Sequence, residues 1–421
     1  MTTRRELLRL VAVGSAAAAI GEAFGCGDNL DGRDAAAAVV EAASDGFLVV
    51  IWARVARSAR VTVRQGDRLV TRDVAIAGSR SANVAIGGLA PAAAFEVWVR
   101  TNDRITLGPF AGRTAPLVTD VAAVRIAVFA DVDPNPEFAS DLCAQVVAAA
   151  PDLLVSIGDF PYTDNGPPAT TVAAYRARHA EIRSHPPIRE LLACAPLRAM
   201  YDDHEFTNNW DAAAAAAEPD RLAAALAVWD EFFPVRDAAA PAVRYRSWRW
   251  GAHVECFLLD CRRYRSANAA PDTAGKTMLG AAQLAWLVDG LARSTVPFKL
   301  VLTTVPLGHT LGDDHWGAFA TERAQLFAAI AGIAGILFVT ADQHFFAAYR
   351  HDRGVREIQV GPLARGLGVQ GPDEPGVLFR ARRYNVGLFD ITADRLVVTG
   401  LGADGEHFYS ETLTAADLTP T

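Results

Sequence analysis

The sequence predicts two architectures in series: a small antiparallel β-sandwich over residues 46–118 and a layered α/β domain over residues 119–421. Three observations carry this reading. Short runs rich in β-branched and aromatic residues recur between turn residues from Gly46 to Pro116, the pattern of an all-β sandwich. From Val124 onward, apolar strands alternate with amphipathic helices, the pattern of a layered α/β sheet. In that second part, acid-rich polar clusters recur where the apolar strands end.

The chain of 421 residues is 51% apolar and 21% charged, enough for a sizeable core and too apolar for a disordered chain. With 40 basic and 48 acidic residues the net charge is −8, which argues against specific nucleic-acid recognition. Lys276 and Lys299 are the only lysines, so the basic side is arginine, whose fork suits oxyanions. Residues 1–25 pair a basic start with the apolar stretch Val11–Ile20, an export-signal pattern. Thr3–Arg9 resembles a twin-arginine export signal, read by machinery that moves folded substrates. Cys26, after Gly25, stands as in a lipoprotein processing site and is a candidate lipid anchor. The expected location is therefore exported: periplasmic, extracellular or lipid-anchored. Residues 26–45, rich in Gly, Asp and Ala, read as a tether. No later stretch approaches the roughly 18 apolar residues of a membrane span.

In the sandwich, FLVVIWARV, ARVTVRQ, RLVTRDVAI, SANVAIGGL and FEVWVRT are the expected strands, and FAGRTAP closes the unit. GLAPAAAFEVWVRT resembles the signature of a fibronectin type III domain. In the second part, VRIAVFAD and DLLVSIGD are strands, with EFASDLCAQVVAAA a helix between them. TVAAYRARHAEIRSH is a helix, LRAMYDD a short strand and DAAAAAAEPDRLAAALAVWDEFF mostly helix. RYRSWRWGAHVECFLLD is a hairpin around Gly251. Leu284, Leu287, Val288 and Leu291 fall at i, i+3, i+4 and i+7, giving one apolar helix face. FKLVLTTVPL, GILFVTAD, VREIQV and YNVGLFDI are later strands. Cys143, Cys194, Cys256 and Cys261 form no CxxC pair, which argues against a zinc knuckle. They leave any disulfide unassigned, and Cys256 reads as a small buried hydrophobe.

The chemistry gathers at the strand ends. Asp131 and Asp133 close the first, Gly158-Asp159-Phe160-Pro161-Tyr162 the second, and Asp202-Asp203-His204-Glu205 the third, with Asn208 and Asn209 beyond. Asp260, Arg262 and Arg265 follow the hairpin; Asp342 and His344 close a late strand. Ligand sites in open α/β sheets lie outside the carboxyl ends of strands. Carboxylates, imidazoles and an amide delivered to one edge suit a pair of hard or borderline metals. Any one cluster alone reads as a turn or a helix cap.

In this order, GDFPY, YDDHEFTNNW, LDCRRYR, LGAAQLAWLVDGL and TADQHFF resemble the PhoD-type alkaline phosphatases, calcineurin-like metallophosphoesterases related to purple acid phosphatases. The resemblance covers residues 120–400 and implies a metallophosphoesterase-type layered α/β sandwich. It implies a metal-dependent hydrolase of phosphate monoesters or diesters, small or polymeric, holding two or more metal ions: iron and calcium, with Mn, Mg or Zn as alternatives. By the same resemblance, Asp159 bridges the metals and Tyr162 is a phenolate ligand. Asp203 and Asn208, with Asn209 as fallback, hold the second metal. His204 is the acid at the leaving group or orients the phosphate, Asp342 and His344 complete the ligands, and Arg262 and Arg265 clamp phosphate oxygens. The family usually carries Ser-Cys-Gln after its first strand, where this chain has Phe129–Asp133; Asp131 takes the place of the thiolate, with Asp133 as second choice. Ala341 replaces the Gly of the late Gly-Asp-x-His motif. These departures sustain an alternative from another class, a surface ligand-binding or adhesive protein on a catalytically impaired phosphoesterase fold. Metal content and turnover of an aryl phosphodiester discriminate the two.

Overall fold

The structure, a computed structural model, describes residues 34–421 apart from 77, 79–80, 134–140 and 237–242. The export signal and Cys26 lie outside the described residues. Strands β1 (Ala35–Val40), β2 (Phe47–Ala53), β3 (Ser58–Gln65), β4 (Arg68–Ala75), β5 (Ser81–Ile86), β6 (Ala94–Thr101) and β7 (Thr106–Arg113) come first. The α/β part follows with β8 (Val124–Phe129), β9 (Leu153–Ile157), β10 (Leu197–Met200), β11 (Arg246–Trp250), β12 (Val254–Leu258), β13 (Phe298–Leu302) and β14 (Ile336–Thr340). The chain ends with β15 (Phe346–Arg350), β16 (Arg356–Gln359), β17 (Val377–Ala381), β18 (Asn385–Ile391), β19 (Leu396–Gly402) and β20 (His407–Leu413).

The first seven strands do not all pair with one another. β4-β3-β6-β7 form a four-stranded sheet, while β1, β2 and β5 end a nine-stranded sheet ordered β20-β19-β18-β8-β9-β10-β1-β2-β5. A seven-stranded sheet, β11-β12-β13-β14-β16-β15-β17, completes the molecule. The fold is thus mixed α/β with an N-terminal all-β region. Residues 35–40, expected as tether, are corrected to a strand. Alanine is a weak strand former, but AAAAVV pairs with β2 from Ala35↔Ala53 to Val40↔Leu48, and Val40 pairs with Leu197 of β10. Sheet pairing therefore continues across residue 118.

Two parallel runs position the site. β8, β9 and β10 are parallel in one sheet; β12, β13, β14 and β16 are parallel in the other. Their buried faces share one apolar core, with Val128 and Ile157 from the first and Leu258, Leu302 and Val339 from the second. Helices cover the outer faces. In the helix Gly280–Arg293, Leu287 and Leu291 are buried and Leu284 and Val288 pack beside them, as the spacing requires. The alanine run forms the helix Ala212–Ala217, capped by the Asp211 carboxylate, which accepts from the N–H groups of Ala213 and Ala214. Pro219 starts a separate helix, Pro219–Phe232. Cys256 is buried in β12. Among the described residues no helix is long and apolar enough to cross a membrane.

A buried ion triad ties the N-terminal strands to the rest. Glu41, just after β1 and only 2% exposed, accepts from Arg198 Nη1 of β10 at 2.6 Å and from Arg246 Nη2 of β11 at 2.6 Å. Removing the shared carboxylate leaves two guanidinium groups uncompensated at this junction. Glu41→Gln is expected to destabilise folding by about 3–5 kcal/mol, read as a lower denaturation midpoint. An unchanged midpoint would remove the triad from any role in joining the sheets.

Candidate metal centre and active site

The site forms where the carboxyl ends of β8, β9, β10 and β14 converge. At three of these ends, those of β8, β9 and β14, the chain leaves the strand through a left-handed residue: Asp131 (φ 59°), Asp159 (φ 58°) and Asp342 (φ 76°), with His344 (φ 57°) close by. Such backbone is strained for a residue with a Cβ and persists only when its surroundings hold it. Here they do. Val132 N–H donates to Asp159 O at 2.8 Å, Asp133 N–H to Ala364 O at 2.9 Å and Ala364 N–H to Asp131 O at 3.1 Å. The glycine of Gly158-Asp159 is required twice over: its φ is +109°, and a Cβ would lie 2.5 Å from that of Asp202.

The result is three overlapping groups: Asp131, Asp159 and His344; Asp159, Asp203 and His204; and Asp202, Asp203 and Asp342. Within each, one ligand atom per residue lies within 4.8 Å of the others. Asp159 belongs to the first two groups and Asp203 to the last two. Both carboxylate oxygens of Asp131, Oδ2 of Asp159 and Oδ1 of Asp203 are buried without a hydrogen-bond partner among the described residues. Burial, then the surrounding carboxylates, pushes the pKa values of Asp131 and Asp159 well above the ordinary range. Burial followed by Asp314, Asp203 and Asp202 does the same to Asp342. Orphaned anionic oxygens crowded together, with no donor to satisfy them, are what cations at this place would relieve. The residues present fit metal ions.

His344 is set for the same use. Its Nδ1 stands 2.7 Å from Gly366 O, so the proton belongs there and Nε2 carries the lone pair. Nε2 lies 3.0 Å from the Tyr162 hydroxyl and 3.8 Å from Asp131 Oδ1. Burial, and then His204 and Arg365, lowers its pKa to about 4, keeping the ring neutral. Tyr162 is buried, and burial followed by Asp159 and Asp131 raises its phenol well above the usual range. Its ring lies 4.2 Å from that of His204. Burial pulls the His204 imidazolium down, but Asp203 and then Asp164, whose Oδ1 is 2.8 Å from Nδ1, raise its pKa to about 9.

Three sequence expectations change here. Arg262 and Arg265 are 0% and 1% exposed and face inward. The Asp260 carboxylate accepts the backbone N–H groups of Arg262 and Arg263 and turns the chain. The Arg262 fork then meets Asp202 Oδ1 and Oδ2 at 2.7 Å each and Asp314 Oδ2 at 2.7 Å; Arg265 Nη1 meets Asp314 Oδ1 at 2.5 Å. Both arginines are therefore paired with carboxylates inside the acidic cluster. Burial opposes the Asp203 carboxylate, yet Arg262 and His204 hold its pKa well below the ordinary value. Asn208 and Asn209 are both exposed; the Asn208 backbone N–H is given to Asp164, while the Asn209 amide faces the carboxylates. One end of that amide lies 3.1 Å from Asp203 Oδ2 and 3.3 Å from Asp314 Oδ2; nitrogen there donates, whereas oxygen there would need a cation between. Asp133 faces away, its Oδ2 bound by Arg365 at 3.0 Å, so Asp131 is the acid of this strand end that enters the site.

Sequence reading missed several participants. Glu205 accepts from Phe160 N–H at 2.7 Å and Asp202 N–H at 2.9 Å and locks the two acidic loops together. Burial raises it to about 8 against those donors. Thr304 donates to Asp202 Oδ1 at 2.5 Å. Asp314 had one signal, the Asp-Asp-His of Asp313–His315, which repeats the order of Asp202–His204. Asp164 had none.

The family model for PhoD-like phosphatases matches residues 140–368, over half of the chain. Alkaline phosphatase D of Bacillus subtilis (strain 168) is 24% identical, over 46% of this chain and 41% of that protein, so the match spans about two fifths of the relative's length. In overall fold the chain is similar to the solved structure of PhoD, with a TM-score of 0.77 at 18% identity, covering 92% of this chain and 90% of that one. It is also similar to purple acid phosphatase PPD1 from yellow lupin (Lupinus luteus) seeds, with a TM-score of 0.67 at 14% identity, covering 92% and 77%. These two likenesses establish the fold, and the extent of the family match establishes the lineage: the chain belongs to the PhoD-like phosphatase family.

Proposed function

We propose that the protein is an exported, metal-dependent hydrolase of phosphate esters, acting on diesters, monoesters or both. The observation that carries this reading is the chain of three acid and histidine groups sharing Asp159 and Asp203, with their buried oxygens unpartnered. Asp131, Asp159, Tyr162 and His344 would hold one metal; Asp159, Asp203, Asn209 and Asp342 the other. The phenol and imidazole side suits iron and the all-oxygen side calcium. Metals there would supply an activated water and polarise the phosphoryl oxygens. The intact, buried donor set favours a working enzyme over an impaired binding module. Export by the twin-arginine route, with Cys26 as lipid anchor, is supported by residues 1–26 of the sequence.

The chain's own residues supply the rest. Asp164 holds His204 through Nδ1, leaving Nε2 as the nitrogen that gives a proton to the departing ester oxygen. Arg365, paired with Asp133 through Nη1 but part-exposed where Arg262 is fully buried, is the arginine this reading assigns to the phosphate. It sits on the loop that fixes His344, its guanidinium carbon lies 4.5 Å from the Tyr162 ring centre, and its side chain is 24% exposed at the rim. From there it contacts the ester anion.

Asp159→Asn is expected to lose at least one equivalent of metal and to lower turnover of an aryl phosphodiester by more than about 10²-fold. Elemental analysis and kinetics on the same folded preparation check this; full metal content with full turnover would overturn the site. A raised acid pKa means the proton is held until high pH, so kcat should fall as pH rises through about 9. Asp164→Asn, which removes part of that support, should move the limb to lower pH; a limb that stays in place would exclude His204 as the acid. Arg365→Ala should raise KM by about 10-fold, the worth of one charge-assisted contact, with metal content unchanged. An unaltered KM would place Arg365 outside the substrate site.

A further inference from the structure

Away from the metal centre, a cavity of about 280 Å³ lies between the N-terminal strands and the helices Val172–Ser184 and Pro186–Cys194. That is close to the lower end of small-molecule pockets, roughly 300–1,000 Å³. Ala37, Leu107, Pro109, Phe110, Leu192 and Ala193 give it apolar walls. Its rim carries one charge of each sign, Arg189 and Glu190, so the net charge of the cavity is that of the residue at its base, Arg183.

Arg183 is an unusual group to find there. It is 4% exposed, yet no carboxylate pairs with it among the described residues. Its hydrogen bonds run from Nη1 alone, to His179 O at 3.0 Å and His179 Nδ1 at 3.3 Å. Phe160, Phe232 and Phe233 surround the guanidinium, their ring centres 5.1, 4.6 and 4.7 Å from its carbon. The rings stabilise the cation and fix its direction, but they accept no hydrogen bond from Nε or Nη2. His179 adds no negative charge. Every other buried arginine discussed above meets a carboxylate; this one meets a cavity. A buried cation with unused donors at the base of an apolar-walled cavity is complementary to an anionic head on an apolar body.

We propose that this cavity is a second ligand site, separate from the metal centre, that binds a small amphiphilic oxyanion with its charged head on Arg183 and its aliphatic body against Leu107, Phe110 and Leu192. Carboxylate and phosphate heads share the required chemistry, and the probes below tell them apart. The inference does not depend on the reaction catalysed at the metal centre.

The test is calorimetric titration of the metal-loaded protein with hexanoate, hexylphosphonate, whose C–P bond the proposed hydrolase does not cleave, and neutral hexanol. One of the two anions is expected to bind with one-to-one stoichiometry, the tighter one identifying the head, and hexanol at least about 10-fold more weakly, as loss of a charge-assisted contact requires. Arg183→Met should weaken the anion by a similar factor. Because Arg183 also packs the core, Ala193→Phe serves as the second variant: it fills the cavity, keeps the cation and leaves the metal centre untouched. It should abolish anion binding with kcat on an aryl phosphodiester unchanged. Anion binding in Ala193→Phe with the parent's affinity and stoichiometry belongs to the metal centre and overturns the proposal. So does hexanol binding as tightly as the anions, or no binding by either anion.

Discussion

Like charge, gathered out of water at the ends of two parallel sheets, is the constraint around which this protein is arranged. Asp131, Asp159, Asp202, Asp203, Asp314 and Asp342 are all buried or nearly so. Only part of that charge is answered from within. Arg262 lies within hydrogen-bond reach of Asp202 and Asp314, 3.6 Å from Asp203 and 3.9 Å from Asp342. Breaking such a hub would leave several buried anions uncompensated, which is far more destabilising than its net contribution suggests. Against burial, Arg262 and His204 hold Asp203 ionised and Arg262 and Arg265 do so for Asp314, whereas burial leaves Asp131, Asp159 and Asp202 with raised pKa values. Asp131, Asp159 and Asp203 all keep buried oxygens without a partner among the described residues, and those are the oxygens that fit metal.

Backbone strain follows from the same demand. Turning carboxylates from three separate strand ends toward one point requires left-handed backbone immediately after each strand, as at Asp131, Asp159 and Asp342. Each costs on the order of 1 kcal/mol or more, and those at Asp131 and Asp159 are held by cross-loop hydrogen bonds. Gly361 shows how tight the packing is: a Cβ there would come within 2.2 Å of Asp131 Oδ2. Glu205 acts at a distance from the reaction by clasping the Asp159 and Asp202 loops through two backbone N–H groups. Stability spent at the loops is recovered in the shared core between the two sheets and in the Glu41 triad that fastens the N-terminal strands to it.

The two sides of the donor set differ in character. One offers an imidazole whose free nitrogen is fixed by Gly366 and a phenol in a dry setting; the other offers oxygen alone. Around this set, Arg262 and Arg265 are buried against carboxylates, while Arg365 and His204 are partly exposed.

Much of this was legible in the sequence. Strand ends could be read because apolar runs of five to seven residues stop abruptly at acids, and helix faces because Leu287 and Leu291 repeat at helical spacing. Hydrophobic period and local turn chemistry belong to neighbouring residues, so they survive in one dimension. What the sequence could not decide depended on distant partners. AAAAVV is a strand because β2 and β10 flank it, not because of its own propensity. Arg262 and Arg265 turn inward because Asp314, some fifty residues on, waits for them. That the Asn209 amide, and not the exposed Asn208 side chain, reaches Asp203 and Asp314 is likewise a matter of tertiary placement, with Asn209 in left-handed backbone at φ 52°. A side chain's residue type tells what it can bind; whether it serves as brace or as contact is decided by which charges the tertiary fold brings within a few ångströms, because electrostatic interaction is strong only at short range and out of water.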